Sequence, residues 1–133
     1  MSTKFAFYVC AVIACLNALV SVAFSLAMVI GQPAVDVAAL YGIARTVPLA
    51  IAALIALAAR SRPGVTVLAL LLGSIQFCDA LVGWSSHDVM KTIGPVTLAV
   101  LTLASAVMLL RTTRQVRRGP QDVLANRTDR YPI

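Results

Sequence analysis

Two residues that could do chemistry interrupt long apolar runs: Arg45, between Val37 and Ala59, and Asp79, inside the stretch Gly73 to Gly83, GSIQFCDALVG. Gln76 precedes the carboxylate by three residues and Gly83 follows it by four, so the three share one face of a helix. On a second helix Tyr41, Arg45 and Pro48 or Ala52 share a face in the same way. A charge near the middle of a membrane helix costs about 2.5–3.5 kcal/mol on insertion scales. A guanidinium and a carboxylate there either pair, making both helices tolerable and fixing their register, or mark a site for a polar ligand, ion or proton. A carrier built on them would have to separate the pair during its cycle.

The elements that must hold these residues follow from composition. The 133 residues are 60% hydrophobic and 12% charged, with no Glu, and the mean hydropathy is +0.92. A soluble domain of this size cannot hide that much apolar surface. Four apolar stretches, each near the roughly 20 residues an α-helix needs to cross a bilayer, predict spans at about 5–30, 37–59, 65–84 and 94–110. The expected fold is all-α, an antiparallel bundle of four transmembrane helices over residues 1–118, with a disordered tail at 119–133. The first apolar run is too long for the hydrophobic region of a cleaved signal peptide. Pro48 predicts a bend beside Arg45. Residues 85–91 read as a loop, and Pro95 as a first-turn residue of the fourth span.

Lys4, Arg60, Arg62 and six arginines after Leu110 lie on one side of these spans, against Lys91 alone on the other. This asymmetry predicts both termini in the cytoplasm. It also accounts for the formal charge of +6 without nucleic acid, for which no motif is present. Arg111, Arg114, Arg117 and Arg118 could meet anionic lipid headgroups.

Arg45 precedes Ala59 by as many residues as Asp79 follows Val65, which sets both about 21 Å from the cytoplasmic edge of a core about 30 Å thick. The same count sets Asn17 and Ser21 at roughly 18 and 24 Å, Gln76 at roughly 16 Å and Thr97 at roughly 20 Å. Asn17, Ser21 and Ser25 recur every four residues and line one face of the first helix. All four helices thus contribute to a polar layer, expected to be a buried network around Arg45 and Asp79 that includes Gln76, Asn17, Ser21, Tyr41 and Thr97.

Other chemistry finds little footing. Cys10, Cys15 and Cys78 form no C-x-x-C pair, and His87 is a lone histidine, so neither a metal site nor a cofactor is expected. No pair of histidines is available within the spans to hold haem.

At Gly42-Ile-Ala-Arg45 and Gln76-Phe-Cys-Asp79-Ala-Leu-Val-Gly83 the chain resembles the DoxX-like group of small four-helix bacterial membrane proteins, over about residues 40–110. It departs from DoxX proper in lacking a glycine-bearing first helix, since no glycine precedes Gly31. The resemblance implies a four-helix membrane fold in a bacterial inner membrane more than it implies an activity.

Three function classes remain. The first is a non-catalytic protein acting by helix contact, as an accessory or structural subunit whose partners are the lipid bilayer and either another membrane protein or a second copy. The second is a small-molecule or proton-coupled transporter using Arg45 and Asp79. Its four spans resemble the small multidrug resistance proteins, whose first-helix glutamate this chain lacks. The third is a quinone-linked redox subunit.

Overall fold

A computed structural model describes residues 2–30, 37–87 and 89–128, and within the helices it leaves the side chains of Ala38, Met90 and residues 116–128 undescribed. Helix α1 runs over Thr3–Ile30, α2 over Val37–Ala58, α3 over Arg62–Ser85 and α4 over Val89–Thr128. At 1.5 Å per residue the 28, 22 and 24 residues of the first three reach about 42, 33 and 36 Å, enough for hydrocarbon about 30 Å thick. All four helices, α4 by its segment Lys91–Gln115, are long and apolar enough to cross a membrane.

The connection between α2 and α3 is made by backbone geometry. The amide of Ser61 donates to the Ala56 carbonyl (3.1 Å) and that of Arg60 to Leu57 (3.0 Å), the paired closing bonds of a Schellman motif. Arg60 therefore occupies the left-handed position, with φ 50°, where glycine is the usual residue. Ser61 then opens α3: its hydroxyl accepts from the Gly64 amide at 3.2 Å, and Pro63 sits in the first turn, where no donor is needed.

The fourth helix departs from expectation at both ends. It begins at Val89, so the predicted loop over 85–91 contracts to the few residues after Ser85, and Pro95 lies in the second turn instead of the first. It also continues as helix to Thr128, through the region from Gly119 where a disordered tail is expected; residues 129–133 lie outside the described residues. After Pro120 the run Gln-Asp-Val-Leu-Ala-Asn has no further breaker, and Gln, Leu and Ala favour helix. Helix α2 likewise continues through Pro48.

Alanine dominates the interior. Ala6, Ala11, Ala14 and Ala18 of α1 meet Ala50, Ala53 and Ala56 of α2, Ala69 of α3 and Ala106 of α4, with Phe7, Leu72 and Leu109 as the larger fillers. Small side chains let helix backbones approach, which is what drives association where lipid is as apolar as the helices themselves. Helix α1 touches the other three, whereas α2 and α4 do not touch each other among the described residues. α3 likewise touches the other three, so α1 and α3 together form the middle of the bundle.

Where α3 and α4 cross, Gly83 is required by the backbone itself. A Cβ there would collide with the carbonyl of Lys91 and approach the Thr92 amide to 2.9 Å. Neither is able to swing aside. Gly94, by contrast, has open space around it. Gly83→Ala should therefore lower stability by about 1–3 kcal/mol through overpacking. Gly94→Ala should stay within about 0.5 kcal/mol, its gain in helix propensity opposed by crowding against Pro95. Thermal unfolding of the two variants in one detergent checks the ordering.

Candidate functional site

The polar residues within the spans form two separate sites. The first is buried and uncharged. Asn17 of α1 is fully buried and donates through Nδ2 to Thr102 Oγ1 of α4 at 2.9 Å. Its Oδ1 accepts from Gln76 Nε2 of α3 at 2.6 Å. The same Nε2 reaches Ser21 Oγ at 2.9 Å, and Ser21 Oγ donates to the Asn17 carbonyl at 2.9 Å. One amide thus joins three helices.

A hydroxyl ladder carries the contacts on to α2. Ser25 Oγ donates to the Ser21 carbonyl at 2.9 Å, and Thr46 Oγ1 donates to the Gly42 carbonyl at 2.9 Å and lies 3.3 Å from Ser25 Oγ. A Cβ at Gly42 would lie 3.4 Å from Ser25 Oγ, an ordinary contact, so the approach does not depend on glycine there. No buried side-chain nitrogen or oxygen lacks a hydrogen-bond partner among the described residues. A network satisfied in this way fixes helix register and offers nothing to an incoming ligand.

The second site is the ion pair. Arg45 Nη2 donates to both carboxylate oxygens of Asp79, at 3.0 and 3.1 Å, bridging α2 and α3. The pair is not buried: the Arg45 side chain is 48% exposed and that of Asp79 37%. Asp79 lies about 9 Å before the end of α3, and Arg45 about 12 Å after the start of α2, so both are inside the apolar spans. Off-centre placement makes the 2.5–3.5 kcal/mol of a mid-helix charge an upper bound here.

The expected single network around Arg45 and Asp79 is thus corrected to a buried amide cluster and a half-exposed pair, with no hydrogen bond between them among the described residues. Asp79 and Gln76 share a helix face loosely. The 60° between them turns the amide toward α1 and the carboxylate toward α2. Tyr41, at 74% exposed, stands on the bundle surface. Thr97 is exposed and, among the described residues, bonds its own helix through the Ile93 carbonyl at 2.9 Å. Arg111 and Arg114 are exposed on the continuing α4 helix, while the side chains of Arg117 and Arg118 lie outside the described ones.

Thr102 and Thr46 are the participants that depth counting overlooked. Counting from an assumed span end at Leu110 selects Thr97; the residue that meets Asn17 lies five positions further on, about 7.5 Å along the axis. A signal was available in the small residues Ala99, Thr102 and Ala106, all buried and spaced three and four apart, as one packed helix face requires.

No three His, Cys, Asp or Glu side chains come together among the described residues. Cys10 and Cys15 are buried and Cys78 exposed, all as free thiols. An open hollow of about 370 Å³ at the α3–α4 turn is lined by Trp84, His87, Val89, Thr92 and Ile93. It contains neither member of the pair and no residue of the amide cluster.

Two outcomes are expected. Asn17→Ala leaves Gln76 Nε2 with Ser21 Oγ as its remaining partner and cuts the links from α1 to α3 and α4 through the Asn17 side chain, so the cost should be about 0.5–1.5 kcal/mol per hydrogen bond lost. Ser21→Ala added to it should cost more, because the buried Gln76 amide is then left without a partner, as detergent melting curves would show. Arg45→Asp and Asp79→Arg should each accumulate poorly in membranes, and the double variant better than either, because the swap restores opposite charges. Normal accumulation of both single variants would show that the pair contributes little.

Comparison with protein-family models, with curated proteins and with solved structures found no match for this chain.

Proposed function

We propose that this chain is a multi-pass membrane protein of a bacterial inner membrane, an antiparallel bundle with both termini in the cytoplasm, that acts by helix–helix association as an accessory or structural subunit without catalysis. The observation that carries this reading is where the charges lie: the pair between Arg45 and Asp79 faces outward from the bundle, half exposed, while the polar groups inside are occupied with one another. A membrane helix that presents charge to its surroundings gains by meeting a polar protein surface there.

The carrier and quinone-linked readings ask for a polar pocket or passage within the bundle. The hollow at the α3–α4 turn is open and mostly apolar in lining, and a second, of about 310 Å³, lies on the outer side of α1 against Phe5, Tyr8, Val9, Val12 and Ile13. Neither meets the ion pair. The likeness to DoxX-like proteins rests on the motifs at Gly42 to Arg45 and Gln76 to Gly83 alone, and it supports the same architecture.

Native mass spectrometry of protein extracted gently from its own membrane tests the proposal. A stoichiometric complex, with another polypeptide or with further copies of this chain, is the expected result. A monomer that retains a quinone or another small molecule in fixed ratio would overturn it in favour of a carrier or redox subunit.

A further inference from the structure

The outward face of α2 and α3 carries an uncommon combination. Both hydrogen bonds of the ion pair come from one nitrogen of Arg45, Nη2. A guanidinium has five N–H donors, so Nη1 and Nε bring three more, and they have no partner among the described residues. The carboxylate likewise keeps lone pairs to spare. Lipid tails can neither donate nor accept. α2 is also the least covered of the four spans, with 22% of its window buried against 28–39% in the others, because it does not reach α4.

We propose that the occupant of this face is a second copy of the same chain, in a two-fold dimer whose axis passes between two Arg45–Asp79 pairs. The inference rests on the reading above that the protein acts by helix contact, and it names the partner. Two arguments favour a copy over an unrelated protein. Depth is the first: chains inserted the same way carry their pairs at the same level in the bilayer, whereas another protein would need a polar group placed independently at that depth.

Symmetry is the second. A two-fold axis along the membrane normal reverses any in-plane direction, so the donor-rich end of one pair faces the acceptor-rich end of the other. Each Arg45 then reaches the partner's Asp79 with its unused N–H groups, and the four charges sum to zero. On α2, the small exposed Ala44 and the half-buried Ala52, one heptad on from Arg45, leave room for a neighbouring helix to come close.

The test uses full-length chains carrying two different tags in native membranes. Arg45→Asp leaves two carboxylates on the face and Asp79→Arg two guanidinium groups. Each variant expressed alone should lose the dimer, and the two expressed together should recover it as a one-to-one mixed pair. An intramolecular pair predicts no such rescue in trans. Should either variant fail to accumulate even in the mixture, thiol cross-linking decides the matter in a Cys78→Ser background: Ala52→Cys should give a covalent dimer with a short bis-maleimide, and Val100→Cys, exposed on α4, should not. Wild-type chains of the two tags that never copurify, or an Ala52→Cys protein that stays monomeric, would overturn the dimer. A stoichiometric complex with a different polypeptide would also overturn it while leaving the proposed function standing; a monomer would sink both.

Discussion

Charge in hydrocarbon is the constraint around which this protein is arranged. Lipid offers no hydrogen bonds, so a guanidinium and a carboxylate within the spans must find each other or find protein. Arg45 and Asp79 do the first, across α2 and α3. Their bond then limits how those two helices are able to slide or turn. A shift of either by one residue would rotate its charge by about 100° away from the other.

Opposite that bond the bundle is held by neutral groups. Asn17 takes one hydrogen bond from α3 and gives one to α4, so α1 sets the register of both neighbours through a single amide. Around it alanine is the commonest interior residue, with Phe7, Leu72 and Leu109 as the larger fillers, so close approach is supplied over much of the interface with little shape. Where small side chains meet, neighbouring alignments differ little in energy; the directional bonds of Asn17, Gln76 and Thr102 help single out one. The two sites therefore divide the work, the ion pair tying α2 to α3 and the amide cluster tying α3 and α4 to α1.

Much of this was legible in the residues, and the reasons differ by element. Four apolar runs bounded by turn residues can only be helices in a bilayer, where backbone groups must bond within their own segment. The pairing of Arg45 with Asp79 followed from equal distances to a short connecting turn. What could not be read was which side of each helix faces in. The spans are apolar on every side, so periodicity distinguishes lipid from core poorly, and a charged residue looks equally at home in a buried network or on a half-covered surface. Axial offset was the other blind spot: Thr97 and Thr102 are alike as residues, and only the packing of α4 against Asn17 selects between them. Gly83 could be singled out by motif, but the need for it, the passage of the Lys91 carbonyl, belongs to the crossing of α3 and α4.

The tight connection at Arg60 and Ser61 bears on how the protein is made. Synthesis delivers Arg45 to the membrane before Asp79 exists, and the two are 34 residues apart in the chain. Until α3 emerges, α2 meets lipid with an unmatched guanidinium and little to hold it there. The turn closed at Arg60 brings the following helix back alongside within three residues, so entering as one unit costs less than entering singly, the carboxylate arriving beside the guanidinium. The helical hairpin α2–turn–α3 is thus the smallest piece of the chain in which the arginine has its carboxylate.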